Sequence, residues 1–188
     1  WTAAGGFIAL ATYIPLRRLI VAGTIKQNIA SWILWTLLDI IAMGASILAK
    51  GNFILPAVYT LGSVAIVLSI WQSSNFLWTR FETATAMLVV ICIMIWCITG
   101  NRTAIIASTA AVVVASIPQL RDAYRRPEDN SLLIACIFGV SSALSLVGGR
   151  DWSIPERLYP AVCMLINITF TTVVARKFFR NTAGGTPC

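Results

Sequence analysis

The chain contains no histidine, and that absence removes histidine-ligated metals, histidine-held haem and histidine general-base chemistry. Charge is scarce too. Only 11% of the 188 residues are Asp, Glu, Lys or Arg, against about 25% in an ordinary soluble domain. So little charge leaves too little polar surface to cover a water-facing globule. Cysteine is unpatterned: Cys92, Cys97, Cys136, Cys163 and Cys188 include no CxxC spacing, and four of them lie inside apolar runs, where they read as small packing residues. Neither a phosphate-cradling loop nor a nucleophile–base pair is present, so no enzyme activity, cofactor or metal is expected. The start of the chain at Trp1 lacks the basic flank and small-residue cleavage site of a signal peptide, so the first apolar run is expected to stay in the mature protein.

What fills the chain is apolar sequence: 58% of residues are hydrophobic and mean hydropathy is +0.82. A membrane-spanning helix needs about 20 such residues to cross about 30 Å of hydrocarbon. Seven segments approach that length: Thr2–Val21, Ile29–Leu48, Phe53–Trp71, Thr83–Thr99, Thr103–Leu120, Leu132–Val147 and Leu158–Ala175. Short connectors with turn formers separate them, among them Gly23-Thr24, Lys50-Gly51-Asn52, Asn101, Pro127-Glu128-Asp129-Asn130 and Gly148-Gly149. The runs are continuous rather than alternating, which excludes a β-barrel. An all-α integral membrane fold with seven transmembrane helices is expected.

The net charge of +7 comes from 14 Lys and Arg against 7 Asp and Glu. These basic residues sit in connectors and form no stripe, so lipid and not nucleic acid is the expected partner. Sorted by connector, Arg17, Arg18, Lys26, Arg80, Arg121, Arg125, Arg126, Arg176, Lys177 and Arg180 fall on one side. Lys50, Arg102, Arg150 and Arg157 fall on the other. Ten against four is a positive-inside bias that sets the N-terminus outside and the C-terminus in the cytoplasm. The expected setting is a bacterial inner membrane, with an organelle membrane as the alternative.

The chain also echoes itself. Ile14-Pro15 returns 103 residues later as Ile117-Pro118, and Pro56-Ala57-Val58 returns 104 residues later as Pro160-Ala161-Val162. Both pairs occupy matching places in spans 1 to 3 and 5 to 7. A three-helix unit has odd parity, so a linker span is needed to bring a second copy back in the same orientation. The organisation read from this is a first three-helix repeat over residues 1–72, a linker with helix 4 over 73–102, a second repeat over 103–180 and a tail over 181–188.

At this point the chain resembles the PQ-loop and SWEET superfamily of seven-helix small-solute transporters. The local match is Ser116-Ile117-Pro118-Gln119-Leu120, followed by Asp122, Tyr124, Pro127, Asn130 and Ser131. The first copy departs from it, with Leu16 after Pro15, yet its connector leads to Ser31, Trp32 and Trp35 as the family pattern does. The resemblance implies two parallel three-helix bundles around a solute path, alternating access between them, and sugars or amino acids as cargo, in some members with protons.

Several residues carry candidate chemistry. Pro15 and Pro118 each remove a backbone donor and are expected to break or bend their helices near the cytoplasmic end, as a fixed kink or a hinge; the resemblance favours the hinge. Gln119 is expected to bond the carbonyls so freed. Asp39 is the only ionisable acid or base deep inside a span. Burying it charged costs several kcal/mol, so it faces an interior, pairs, or holds its proton. Trp35 lies one turn before it, and Ala42, Met43 and Ser46 continue that face. Asn167 in span 7 suits a hydroxyl-rich or zwitterionic ligand, or else ties helices together. Its repeat partner is Ser63, where sugar-carrying members of the resembled family use asparagine. Trp32, Trp35, Trp71, Trp78 and Trp152 fall near span ends and read by default as an interfacial aromatic belt, while Trp35 and Trp96 sit deep enough to stack on a ligand or simply to pack. Arg121, Asp122, Arg125, Arg126, Glu128 and Asp129 form a charged loop, either solvated or an inner-gate ion pair.

A carrier of a small polar solute therefore leads, with substrate contacts at Asp39, Trp35, Asn167, Ser63 and Trp96 and a hinge or gate at Pro15, Pro118 and Gln119. The rivals are a non-transporting seven-helix receptor or sorting protein and a packing subunit of a larger membrane complex. Homo-oligomers stay open. A retinal receptor is disfavoured because Lys26, Lys50 and Lys177 all lie in connectors or tail.

Overall fold

Among the described residues seven helices follow one another: α1 (Thr2–Val21), α2 (Ile29–Leu48), α3 (Ile54–Trp71), α4 (Arg80–Thr99), α5 (Asn101–Arg125), α6 (Leu132–Val147) and α7 (Ile154–Ala183). The computed structural model describes residues 1–25, 27, 29–71, 80–127 and 130–183, and side chains throughout these except 80–82, 85 and 177–183. Lys26, Trp78, Glu128, Asp129 and Cys188 lie outside the described residues, as do the side chains of Arg80, Lys177 and Arg180. Among the described residues all regular structure is helical and no strand occurs.

Five helices, α1, α2, α3, α5 and α7, are long and apolar enough to cross a membrane. The expected α1, α2 and α6 bounds match, while α5 and α7 run further at both ends. Of the other two, α6 has 16 residues, short of the spanning length, and α4 has 20, of which Ala86–Thr99 is the described apolar stretch. At 1.5 Å per residue, α6 reaches about 24 Å.

Local signals explain the boundaries. Gly23, at φ 69°, turns the chain after α1, and Gly100, at φ 91°, turns it between α4 and α5. Ser131 caps α6 by accepting from the Ile134 N–H at 3.5 Å. Of the two outcomes expected at the prolines, a break does not occur: α1 continues through Pro15 and α5 through Pro118. Each proline still leaves one carbonyl a turn back without its amide donor. Hydroxyls in the same turns already bond backward, Thr12 Oγ1 to Ile8 O at 2.6 Å and Ser116 Oγ to Val112 O at 2.7 Å. Pro160 also lies inside its helix, well past the first turn of α7.

Packing sorts the helices into two sets. α3 packs against α1 and α2; α7 packs against α5 and α6; α1 meets α6, and α2 meets α5. Exchanging α1 with α5, α2 with α6 and α3 with α7 leaves these six pairings unchanged. α4 stands outside that exchange, packed on α5 and α2. Close approach needs small residues. A Cβ on Gly5 of α1 would lie 2.6 Å from the Ser141 carbonyl of α6, and the Ser141 hydroxyl donates to Gly5 O at 2.8 Å.

The distribution of polarity is inverted relative to a water-soluble bundle. Large apolar side chains such as Phe7, Leu61, Leu133 and Val147 face outward, while Asp39, Ser63, Ser108, Ser141 and Ser145 are buried. An apolar exterior around a polar interior is what a hydrocarbon solvent selects.

The bundle has two ends, called here the Lys50 end and the Gln27 end. At the Lys50 end the α2–α3 and α6–α7 connectors lie on one another. The Asn52 N–H donates to Pro155 O at 3.1 Å, and the Arg150 guanidinium donates to Lys50 O. The Asn52 amide reaches Ser145 Oγ at 3.2 Å. The Glu156 carboxylate holds Arg150 through its backbone N–H at 3.1 Å and its Nε at 2.8 Å.

Candidate functional site

A cavity of about 140 Å³ lies where the two helix sets meet and extends toward the Gln27 end. Its lining includes Asp39 and Trp35 from α2, Ser63 from α3 and Asn167 from α7. Four of the five expected substrate contacts are thus brought together. The fifth, Trp96, is a correction: it is not among the lining residues. Its ring packs against Gly44, and its Nε1 donates to Asn101 Oδ1 at 2.7 Å. The reason is positional, since α4 sits on the outside of α2 and α5.

Asp39 is buried, with 3% of its surface exposed. The Tyr159 hydroxyl of α7 donates to its Oδ1 at 2.5 Å, tying the two helix sets together. Among the described residues the one ion pair is Arg150–Glu156, and none of the described Lys or Arg side chains pairs with Asp39. Beside it, Tyr59 Oη and Ser142 Oγ lie 2.9 Å apart, and the Asn167 amide reaches Ser142 Oγ at 3.4 Å and Cys163 O at 2.9 Å. The Asn167 Nδ2 donors are therefore engaged, one across to α6 and one within α7. The buried Trp35 Nε1 has no hydrogen-bond partner among the described residues.

Aromatic rings close the cavity on its Lys50 side. Tyr13 meets Phe138 edge-on at 5.0 Å and Tyr59 at 6.4 Å, and Tyr59 meets Tyr159 at 6.3 Å. Trp32 continues the array, with its centroid 6.3 Å from Tyr13 and 5.1 Å from Trp35. Trp32 is buried in this core, not set in an interfacial belt as its position near a span end suggested; Trp71 and Trp152 are exposed.

The Gln27 end is held by amides. Gln119 Nε2 donates to Gln27 Oε1 at 2.9 Å, Trp32 Nε1 donates to the same oxygen at 3.1 Å, and Gln27 Nε2 donates to Asn130 Oδ1 at 3.4 Å. Gln119 thus bridges to the α1–α2 connector instead of bonding carbonyls near Pro118. The expected ion pair in the loop after α5 is not found among its described residues; Arg121, Arg125 and Arg126 are exposed there.

Gln27, Tyr59 and Tyr159 line the cavity but were not singled out in the sequence. Gln27 could have been found by subtracting the repeat offset from Asn130. The two tyrosines could have been found by asking which buried hydroxyl donors serve a lone Asp39. Comparisons with protein-family models, with curated proteins and with solved structures found no match to this chain.

Proposed function

We propose that this chain is a carrier of small polar solutes that works by alternating access between two parallel three-helix bundles. In this reading all seven helices cross the bilayer, α4 links the bundles, the N-terminus is outside and the C-terminus is cytoplasmic. The Lys50 end is then the outer end, and the Gln27 end is the inner one. The short α6 is tolerable because α1 and α7 flank it, so protein and not lipid meets much of its length.

The observation that carries the proposal is the position of the cavity. Its polar lining comes from both helix sets, and Asp39 of one set is bonded to Tyr159 of the other. Motion of one set against the other necessarily changes what Asp39 faces. A buried carboxylate with no cation partner is costly when charged, which makes it a candidate site for proton coupling. The exchange relation among the helix pairings supports the paired-repeat reading and, with Pro118-Gln119 in α5, the resemblance to PQ-loop and SWEET transporters. That resemblance offers sugars and amino acids as the classes to screen.

Pro15 and Pro118 act here as weak points in continuous helices, and Gln119 belongs to the inner gate with Gln27 and Asn130. Reconstituted protein tests this. Protein-dependent uptake of at least one small solute is expected, falling at least tenfold in Asp39→Asn and less in Asn167→Ala. Flux equal to empty vesicles for every solute would turn the assignment toward a receptor or a subunit of a larger complex.

A further inference from the structure

We infer that the solute held in the cavity is a small organic cation, an amine or quaternary ammonium with a short uncharged remainder. This rests on the carrier reading for its biological meaning but not for its chemistry. Three features of the lining decide among solute classes.

The first is charge. Asp39 is the one carboxylate among the described lining residues, and no described Lys or Arg is among them. An anion would face a like charge with no counterion. A zwitterion would place its ammonium at Asp39 and leave its own carboxylate unmatched in an apolar enclosure, where an unpaired charge is costly. A cation meets its countercharge directly.

The second is hydrogen-bonding capacity. A sugar needs many donors and acceptors around its ring, and a site that leaves its hydroxyls unpaired rejects it strongly. Apart from the Trp35 Nε1 donor, many of the polar side chains in the lining are engaged with the protein. Tyr59, Ser142 and Asn167 bond one another, Ser116 bonds Val112 O, and Gln27, Gln119 and Asn130 form one cluster. Little capacity is left for a polyol.

The third is the surface offered. Tyr13, Trp32, Trp35, Tyr59, Phe138 and Tyr159 all contribute to the lining around Asp39. Aromatic rings with one carboxylate are the surface on which ammonium groups bind best, through attraction to the ring quadrupole. The volume of about 140 Å³ is close to that of a cavity that holds one benzene ring, about 150 Å³. It suits a group of tetramethylammonium or choline size.

The test is titration calorimetry on the purified full chain in lipid nanodiscs, with five probes: tetramethylammonium, choline, its uncharged isostere 3,3-dimethylbutanol, the zwitterion glycine betaine, and glucose. Choline is expected to bind at least tenfold more tightly than the isostere, the zwitterion or the sugar, and Asp39→Asn is expected to erase that preference. The probe series on the unaltered chain decides the matter even if the variant misfolds. Equal or tighter binding of betaine or glucose, no binding of either cation, or unchanged choline affinity in a folded Asp39→Asn variant would overturn the inference. Counterflow of choline in proteoliposomes separates the two claims. Cation binding without counterflow removes the carrier and keeps the cation site, whereas glucose counterflow without cation binding does the opposite.

Discussion

Gln27 and Asn130 stand 103 residues apart, the same interval that separates Pro15 from Pro118, and they hydrogen-bond each other across the junction of the two helix sets at 3.4 Å. Under the proposed repeat these two positions correspond, and residues related by a two-fold rotation meet in this way only near its axis, so on that proposal the contact marks the centre of the Gln27 end. Gln119 and Trp32 converge on the same Gln27 carbonyl.

That cluster makes Gln27 a measurable tie. Gln27→Ala removes three hydrogen bonds and should lower stability by about 1–2 kcal/mol, since interhelical bonds in membranes contribute about 0.6 kcal/mol each on average. A double-mutant cycle between Gln27→Ala and Gln119→Ala should show a coupling of about 0.5–1 kcal/mol in denaturation by mixed detergents. Strict additivity would mean that the two amides do not share the bond.

Tyr159 tests the bridge to Asp39. Tyr159→Phe keeps the ring in the aromatic array but leaves the buried Asp39 oxygen without its donor. The expected cost is about 1–3 kcal/mol, the penalty of a buried polar group left unpaired. Tyr13→Phe, which leaves the Asp39–Tyr159 bond intact, should cost less when the two thermal unfolding curves are compared. Equal costs would deny Tyr159 its special place.

Gly5 tests the closeness of α1 and α6. In Gly5→Ala the new methyl meets the Ser141 carbonyl, a backbone atom that moves only if a helix moves. A loss of about 1–3 kcal/mol is expected from such overpacking. Gly139→Ala is the control: its Cβ would lie 3.8 Å from Asn167, ordinary contact distance, and alanine favours helix. The pair should differ in thermal unfolding midpoint by several degrees, and equal midpoints would place α1 and α6 further apart than the structure has them.

These residues also explain what could be read in advance. Helix positions were legible because apolar length alone marks them, as for Thr2–Val21 and Ile29–Leu48. Asp39 stood out because a lone acid in an apolar run has few explanations. Trp96 misled because depth along a helix says nothing about which neighbour it faces, and α4 turns it toward Gly44. Gln119 misled in a different way. A proline beside it suggested a local bond, but the partner arrived from a connector 92 residues earlier in the chain. Long-range partners of polar groups are set by helix packing, and periodicity along one helix does not encode them.

The central claim is that the two helix sets move against each other around Asp39, and the Lys50 end offers the most direct measurement. A Cβ on Gly51 would lie 2.6 Å from Pro155 Cβ, so cysteines at both positions can be bridged if the connectors yield by about 1 Å. Reconstituted Gly51→Cys, Pro155→Cys protein should carry solute when reduced, stop when oxidised and recover on reduction, with choline, glucose and an amino-acid mixture assayed in parallel. Undiminished flux through the fully cross-linked protein would contradict the account.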